Sequence, residues 1–270
     1  MSRGILVGCA GWSLPKSSRR RFPQAASQLE RYAARLPGVE INSSFYRPHL
    51  PQTYARWGAS VPETFRFCVK IPKEITHRLR LKRAGPALRA FLREVAELRR
   101  RLGCLLLQLP PSLAFEPRVA QGFLRTLRKL HGGNVVVEPR HASWFTPAAE
   151  SSLRRFRIGR VAADPPRAPG DGDPGGWPGV VYYRLHGSPK IYFSSYGPAY
   201  LRKLAARLDA HVAAAETVWC IFDNTALGAA TANALALLRA LHPRKPRGRP
   251  AGRPSGRPRK TSRGGKSPPR

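Results

Sequence analysis

Eight short apolar runs, rich in β-branched residues and separated by segments of helical period, constrain the fold of this chain more than any other feature. They lie at 5–9 (ILVGC), 39–42 (VEIN), 65–70 (FRFCVK), 104–108 (CLLLQ), 135–138 (VVVE), 158–164 (IGRVAAD), 180–185 (VVYYRL) and 217–223 (TVWCIFD). Runs this short and this apolar read as strands buried on both faces. Between them, "ASQLERYAARL" places Leu29, Tyr32, Ala33 and Leu36 on one helical stripe. "PALRAFLREVAELRRRL" places Leu88, Phe91, Leu92, Val95 and Leu102 on another, with Pro86 suited to the first turn. Further helices are expected at 117–130, 147–157, 198–214 and 228–241, and a short one at 51–60. The segment between the sixth and seventh runs, "PPRAPGDGDPGGWPG", has no helical pattern. Strands alternating with helices over roughly 240 residues predict a single α/β domain of (β/α)8, TIM-barrel-like architecture. The alternative, an open doubly wound sheet, normally carries G-x-G-x-x-G after its first strand, and "GCAGWS" lacks that spacing.

After residue 242 the composition changes. Residues 243–270 hold eleven Lys and Arg, no acid, and Gly and Pro throughout. Such a segment buries too little apolar surface to offset its ordering entropy, so it is expected to be a disordered basic tail. It does not account for the charge alone: removing its eleven positive charges from the total of +33 leaves +22 on residues 1–242. That excess predicts attraction to polyanions and carries no information about fold. The four cysteines, Cys9, Cys68, Cys104 and Cys220, sit singly inside apolar runs without C-x-x-C spacing, and read as small buried hydrophobes. No apolar run approaches the roughly 20 residues that span a bilayer. "ILVGCA" is too short for a signal-peptide core, so a cytoplasmic protein with no membrane contact is expected.

In a barrel of this kind the strand bodies face packed layers, and their C-terminal ends open onto the face where sites form. The polar residues follow that rule. They are Glu40, Asn42 and Tyr46 after the second run, Lys70 after the third, Gln108 after the fourth, and Glu138, Arg140 and His141 after the fifth. Asp164 follows the sixth, Arg184 and His186 the seventh, and Asp223 and Asn224 the eighth. Trp12 follows the first.

Seven of these segments, "GCAGWS", "VEINSSFY", "FRFCVKIPKEITH", "LLLQLPPS", "VEPRHASWF", "YYRLHG" and "FDNTALGAATANAL", together resemble the YecE-like family, domain of unknown function 72. The resemblance runs in order from about residue 5 to 240. It implies a TIM-barrel-like fold and no settled activity. Family members commonly read G-T-S-G-W near the start, where this chain has Cys9 and Ala10 in place of the two hydroxyl residues.

The residue types at the strand ends suggest acid/base chemistry on an anionic small molecule. Arginine grips phosphate or carboxylate bidentately, which assigns substrate binding to Arg140 and Arg184. Glu40, Glu138, Lys70 and His186 are the candidate catalytic groups of a hydrolase, lyase or isomerase. Asn42, Gln108, His141, Asp164, Asp223 and Asn224 complete the candidate binding set, and Trp12, Tyr46 and Trp144 could stack a planar ring. The competing reading is an internal salt-bridge network in which Glu138 pairs Arg140 or Arg184. No cofactor is expected. A divalent metal across Glu40, Glu138, His141, His186 and Asp223 has no local ligand pair behind it, and the neighbouring cations oppose it. In the tail, "PRGRP" at 246–250 resembles an AT-hook core, and "GRP" recurs at 252–254 and 256–258. Arg247, Arg249, Arg253 and Arg257 are therefore candidate nucleic-acid contacts, through arginine inserted in a narrow minor groove. The second functional reading is a DNA- or RNA-associated protein tethered by this tail.

Overall fold

The computed structural model describes residues 4–242. The tail assigned to 243–270, with the candidate contacts Arg247, Arg249, Arg253 and Arg257, lies outside the described residues.

The elements follow the expected alternation. In chain order they are β1 (Ile5–Cys9), α1 (Lys16–Arg19), α2 (Gln28–Ala33), β2 (Gly38–Ile41), α3 (Pro51–Ala59), β3 (Arg66–Lys70), α4 (Gly85–Val95), β4 (Leu102–Gln108), α5 (Pro117–Leu130) and β5 (Val135–Glu138). There follow α6 (Pro147–Arg155), β6 (Gly159–Arg160), β7 (Ala162–Asp164), β8 (Gly175–Gly176), β9 (Val180–Leu185), α7 (Pro198–His211), β10 (Thr217–Phe222) and α8 (Ala229–Leu241). Five helices carry a proline in their first turn (Pro51, Pro86, Pro117, Pro147 and Pro198), where the missing N–H has no intrahelical partner to lose. Ser27 and Glu30 close a reciprocal capping box at the start of α2. The helix expected to run to Leu102 stops at Val95. Residues 96–101 tighten into a 3₁₀ segment, and Arg99 turns to a φ of 49°.

The strands form two parallel arcs. One runs β2-β3-β4-β5-β6 and the other β1-β10-β9-β7. Two seams join them. At the first, Ala10 bridges Glu40 and Gly11 N–H donates to Glu40 O at 2.8 Å. At the second, the sixth apolar run is divided: β6 pairs with β5, β7 pairs with β9, and Val161 N–H between them donates to Val137 O at 2.9 Å. Eight successive strands thus close into a ring, an α/β architecture of parallel strands under a helical layer. Two of these elements were not expected: the short helix α1 and the strand β8. The Pro/Gly segment after β7 contributes β8, which adds to β6 antiparallel.

Side-chain alternation along each strand sorts the ring into an inside and an outside. Val135, Val137, Leu105 and Leu107 belong to the large core beneath the helices. Val136, Leu106, Cys68, Cys104, Tyr182, Trp219 and Ile221 form a separate core enclosed by the strands. Two residues further along the inward-facing series, the apolar side chains give way to Glu40, Lys70, Gln108, Glu138, Arg184 and Asp223, all of them buried. The strand ends therefore put a charged layer on top of a dry one.

Candidate functional site

The centre of the charged layer is Arg184 on β9, which is 1% exposed. Its Nη2 donates to Glu40 Oε1 at 2.7 Å and its Nε to Glu40 Oε2 at 3.0 Å. Its Nη1 donates to Glu138 Oε2 at 3.1 Å, and Nη2 also lies 3.0 Å from Asp223 Oδ2. The Tyr182 hydroxyl donates to Glu40 Oε2 at 2.8 Å. Burial alone would pull the Arg184 guanidinium down. Asp223, Glu40 and Glu138 outweigh it and hold the group well above its ordinary value.

His186, also on the β9 side, continues the network. Nε2 lies 2.8 Å from Glu138 Oε1 and Nδ1 lies 3.0 Å from Asp223 Oδ2. Ionised carboxylates only accept, so a ring with both nitrogens protonated satisfies both contacts. Burial opposes that charge, but Glu138 and the two hydrogen bonds prevail over it and over Arg184, and the imidazole is raised above 6.5. Glu138 responds in the opposite sense. Burial pushes it up, while Arg184, His186 and Arg140 hold it well below the usual carboxylate range. Asp223 is likewise lowered, against burial, by Arg184 and His186. Arg140 Nη2 donates to Glu138 Oε1 at 3.1 Å, and Arg140 Nε is a buried donor without a partner.

Lys70 stands apart from these pairings. It is 5% exposed, and its Nζ lies 4.1 Å from the centre of the Phe45 ring. Burial and the Arg184 charge lower the amine to about 8, with Glu40, Glu138 and Asp223 only partly offsetting them.

The family model for the protein of unknown function DUF72 matches residues 6–257. This chain belongs to the DUF72 family. Among its relatives, the UPF0759 protein YecE of Escherichia coli (strain K12) is 33% identical over 166 residues, which is 59% of this chain and 59% of YecE. The UPF0759 protein YunF of Bacillus subtilis (strain 168) is 35% identical over 74 residues, 27% of this chain and 26% of YunF. The chain thus matches three fifths or less of the length of these curated relatives. Two solved DUF72 structures share the fold. The one from Enterococcus faecalis V583 superposes with a TM-score of 0.74 at 23% identity, covering 88% of this chain and 95% of that one. The one from Thermotoga maritima MSB8 gives 0.73 at 25% identity, covering 88% and 98%.

Within this DUF72 chain, six of the expected residues form one hydrogen-bonded network: Glu40, Glu138, Arg140, Arg184, His186 and Asp223. Others serve elsewhere. His141 accepts from Ser143 N–H through Nδ1 and caps the turn at 142–145. Asp164 receives the hydroxyls of Tyr196 at 2.7 Å and Tyr200 at 2.9 Å, under α7. Trp12 packs edge-on against Trp57 at 5.0 Å, and Trp144 is buried with its Nε1 donating to Leu113 O. Tyr46 is 66% exposed beside Phe45. Asn224 donates to Ser194 O and Asn233 Oδ1, which ties two rim loops together. Gln108 is buried at the end of β4, and Asn42 keeps an unpartnered, buried Oδ1. The Cys9 thiol is pushed up to about 12 by burial, which removes it as a nucleophile. Among the described residues, no group of three or more His, Cys, Asp and Glu is arranged to hold a metal. Arg184 occupies the middle of the three carboxylates.

Two further residues bear on the layer. Phe45 supplies the face on which Lys70 rests. Asp171, in the Pro/Gly segment, is 1% exposed with an unpartnered Oδ1, and the Glu138 charge acts on it. Nothing in a glycine-flanked acid distinguishes a buried one from a solvated one.

Proposed function

We propose that the strand-end layer binds a small anion bearing phosphate or carboxylate, and acts on it by acid/base chemistry. One observation carries the reading: at the strand ends four cationic groups (Arg184, Arg140, Lys70 and doubly protonated His186) face three carboxylates (Glu40, Glu138 and Asp223), and the further buried acid nearby, Asp171, is held up to about 6, so a positive charge is left over in a dry setting until Asp171 ionises. An uncompensated charge there is costly, and an anion relieves it. Arg184 is consumed by its three carboxylates. The groups free to meet the ligand are the Nε of Arg140 and the amine of Lys70. Glu138 and His186, in contact with each other, are the groups that would exchange a proton with it. The four free, buried cysteines fit a reducing, cytoplasmic setting.

Sulfate titration of the full chain tests the reading. Saturable binding is expected, weakened at least about tenfold by Arg140→Ala and unchanged by Arg207→Ala, whose guanidinium pairs with Asp173 on the surface. Equal binding by both variants would overturn it.

A second reading rests on residues 243–270. Their eleven cations and the R-G-R-P at 247–250 favour association with DNA through charge. If about six to eight of them meet phosphates, binding should fall with salt at a log–log slope near −5 to −7, and deleting 243–270 should flatten it. An unchanged slope would move any DNA binding to the basic body.

A further inference from the structure

Lys70 combines three properties that rarely meet in one lysine. It is buried at a strand end, whereas every other lysine among the described residues is exposed. Its amine has no hydrogen bond or salt bridge with another described residue. Its amine is held against the face of Phe45, an aromatic ring that offers no lone pair and no proton acceptor. A structural lysine at such depth is normally paired with a carboxylate. Here the three nearby carboxylates are committed to Arg184, His186 and Arg140.

We propose that Lys70 is an amine nucleophile that forms an imine with the carbonyl carbon of an aldehyde or keto acid bound at the strand ends. The proposal rests on the anion-binding reading and narrows it to a substrate class: small anions that also carry a carbonyl. In the first step the Nζ lone pair attacks the carbonyl carbon and the π electrons move to oxygen. After a proton passes from nitrogen to that oxygen, the product is a carbinolamine. In the second step the nitrogen lone pair forms the C=N bond as the hydroxyl, protonated, leaves as water. The amine has given up two hydrogens and the carbonyl its oxygen, so the condensation balances with release of one water and no oxidant or reductant.

The environment fits the step. Only the neutral amine attacks. With the amine lowered to about 8, roughly one molecule in ten is neutral at pH 7, against about one in 3,000 for an ordinary lysine. Burial is the larger cause of that shift, and Arg184 the next. A second cation beside an amine is one of the known ways of activating a Schiff-base lysine. The ring of Phe45 fixes the direction of the amine without competing for its lone pair.

The test is reductive trapping on the full chain. Glyoxylate, an aldehyde carrying a carboxylate, is incubated with the protein and cyanoborohydride, which reduces the imine to carboxymethyl-lysine. Peptide mapping then locates the product. At pH 7, Lys70 should be modified at least ten times faster than any exposed lysine, with a pH midpoint near 8, and sulfate should slow it. Modification at the same rate at Lys70 and the surface lysines overturns the proposal, even if sulfate binds. Trapping at Lys70 that is equally fast with propionaldehyde and indifferent to sulfate overturns the anion reading and leaves the imine chemistry standing. Because the mapping is done on the unmodified sequence, the result does not depend on a variant that folds. Lys70→Arg, which keeps the charge, should abolish the product.

Discussion

Glu40 and Arg184 stand 144 residues apart in sequence and meet as a two-point pair, with Nη2–Oε1 at 2.7 Å and Nε–Oε2 at 3.0 Å, both side chains sealed from solvent. The pair joins β2 to β9 across the inside of the ring, and Arg184 adds Glu138 and Asp223 from two more strands. A single guanidinium therefore gathers carboxylates from three strands, and it does so where the packed interior ends.

Removing that guanidinium should be expensive. Arg184→Met leaves three buried carboxylates without their shared partner, and breaking a buried pair from one side typically costs about 3–5 kcal/mol. Urea unfolding should show a loss of that size. Glu40→Gln introduced into Arg184→Met should recover part of it, because one uncompensated charge disappears. A loss below about 1 kcal/mol would mean that water reaches the layer.

Asp171 makes a separate pH signature. Burial, with the Glu138 charge, raises it from 3.8 to about 6, against a backbone hydrogen bond from Arg167. For an acid raised in the folded state, the unfolded chain ionises first. Stability is therefore full below 3.8 and declines until about 6. That interval is worth at most ~3 kcal/mol, and about 2 after allowing for hydration of a loop carboxylate. Between pH 4 and 7, the wild-type chain should lose about 2 kcal/mol relative to Asp171→Asn. Parallel pH profiles for the two proteins would show that Asp171 is solvated.

How far the sequence discloses all this depends on the range of the interactions. β5 is readable because Val135 to Val137 are β-branched on both faces, and Glu138 marks its end. The rule that polar residues close each strand places Glu40, Lys70, Glu138, Arg184 and Asp223 at one end of the ring, where all five are buried, since strand period and barrel geometry are local properties. What stayed hidden is set by pairing at a distance. The division of the sixth run at Val161 exists because its halves bond to different neighbours, β5 and β9, and no local pattern records a partner. The same limit applies to His141 and Asp164. Both sit at or just beyond strand ends, yet a serine two residues on and two tyrosines at the start of α7 claim them.

Gly8 is a case where geometry leaves no room. A Cβ there would collide with Gly38 O and lie 2.7 Å from Gly38 C, backbone atoms that cannot move aside without breaking the seam between β1 and β2. Gly8→Ala should cost about 3 kcal/mol or more, read as a fall in the denaturation midpoint. Gly122, inside α5, has nothing within 4 Å of its added Cβ. Gly122→Ala should instead gain about 0.5–1 kcal/mol from helix propensity. If both substitutions shift stability alike, the close approach at the seam is wrong.

The anion site should titrate in two stages. His186 is raised above 6.5 chiefly by Glu138, and Lys70 is lowered to about 8 chiefly by burial. While both are charged, the strand-end cations outnumber Glu40, Glu138 and Asp223 by one. Each group that loses its proton removes one positive charge: Lys70 near 8, and His186 at a point above its ordinary 6.5. With both neutral, the carboxylates outnumber the cations. Sulfate remains a dianion throughout, so any change in its affinity reports the protein. Calorimetric or NMR titration should find sulfate binding on the order of tenfold weaker or more at pH 9 than at pH 6. His186→Gln, neutral at every pH, should bind sulfate more weakly at pH 6 and keep only the stage near 8. Lys70→Met should lose the stage near 8 and keep the other. Sulfate affinity that ignores pH in the wild-type chain would show that neither group faces the anion.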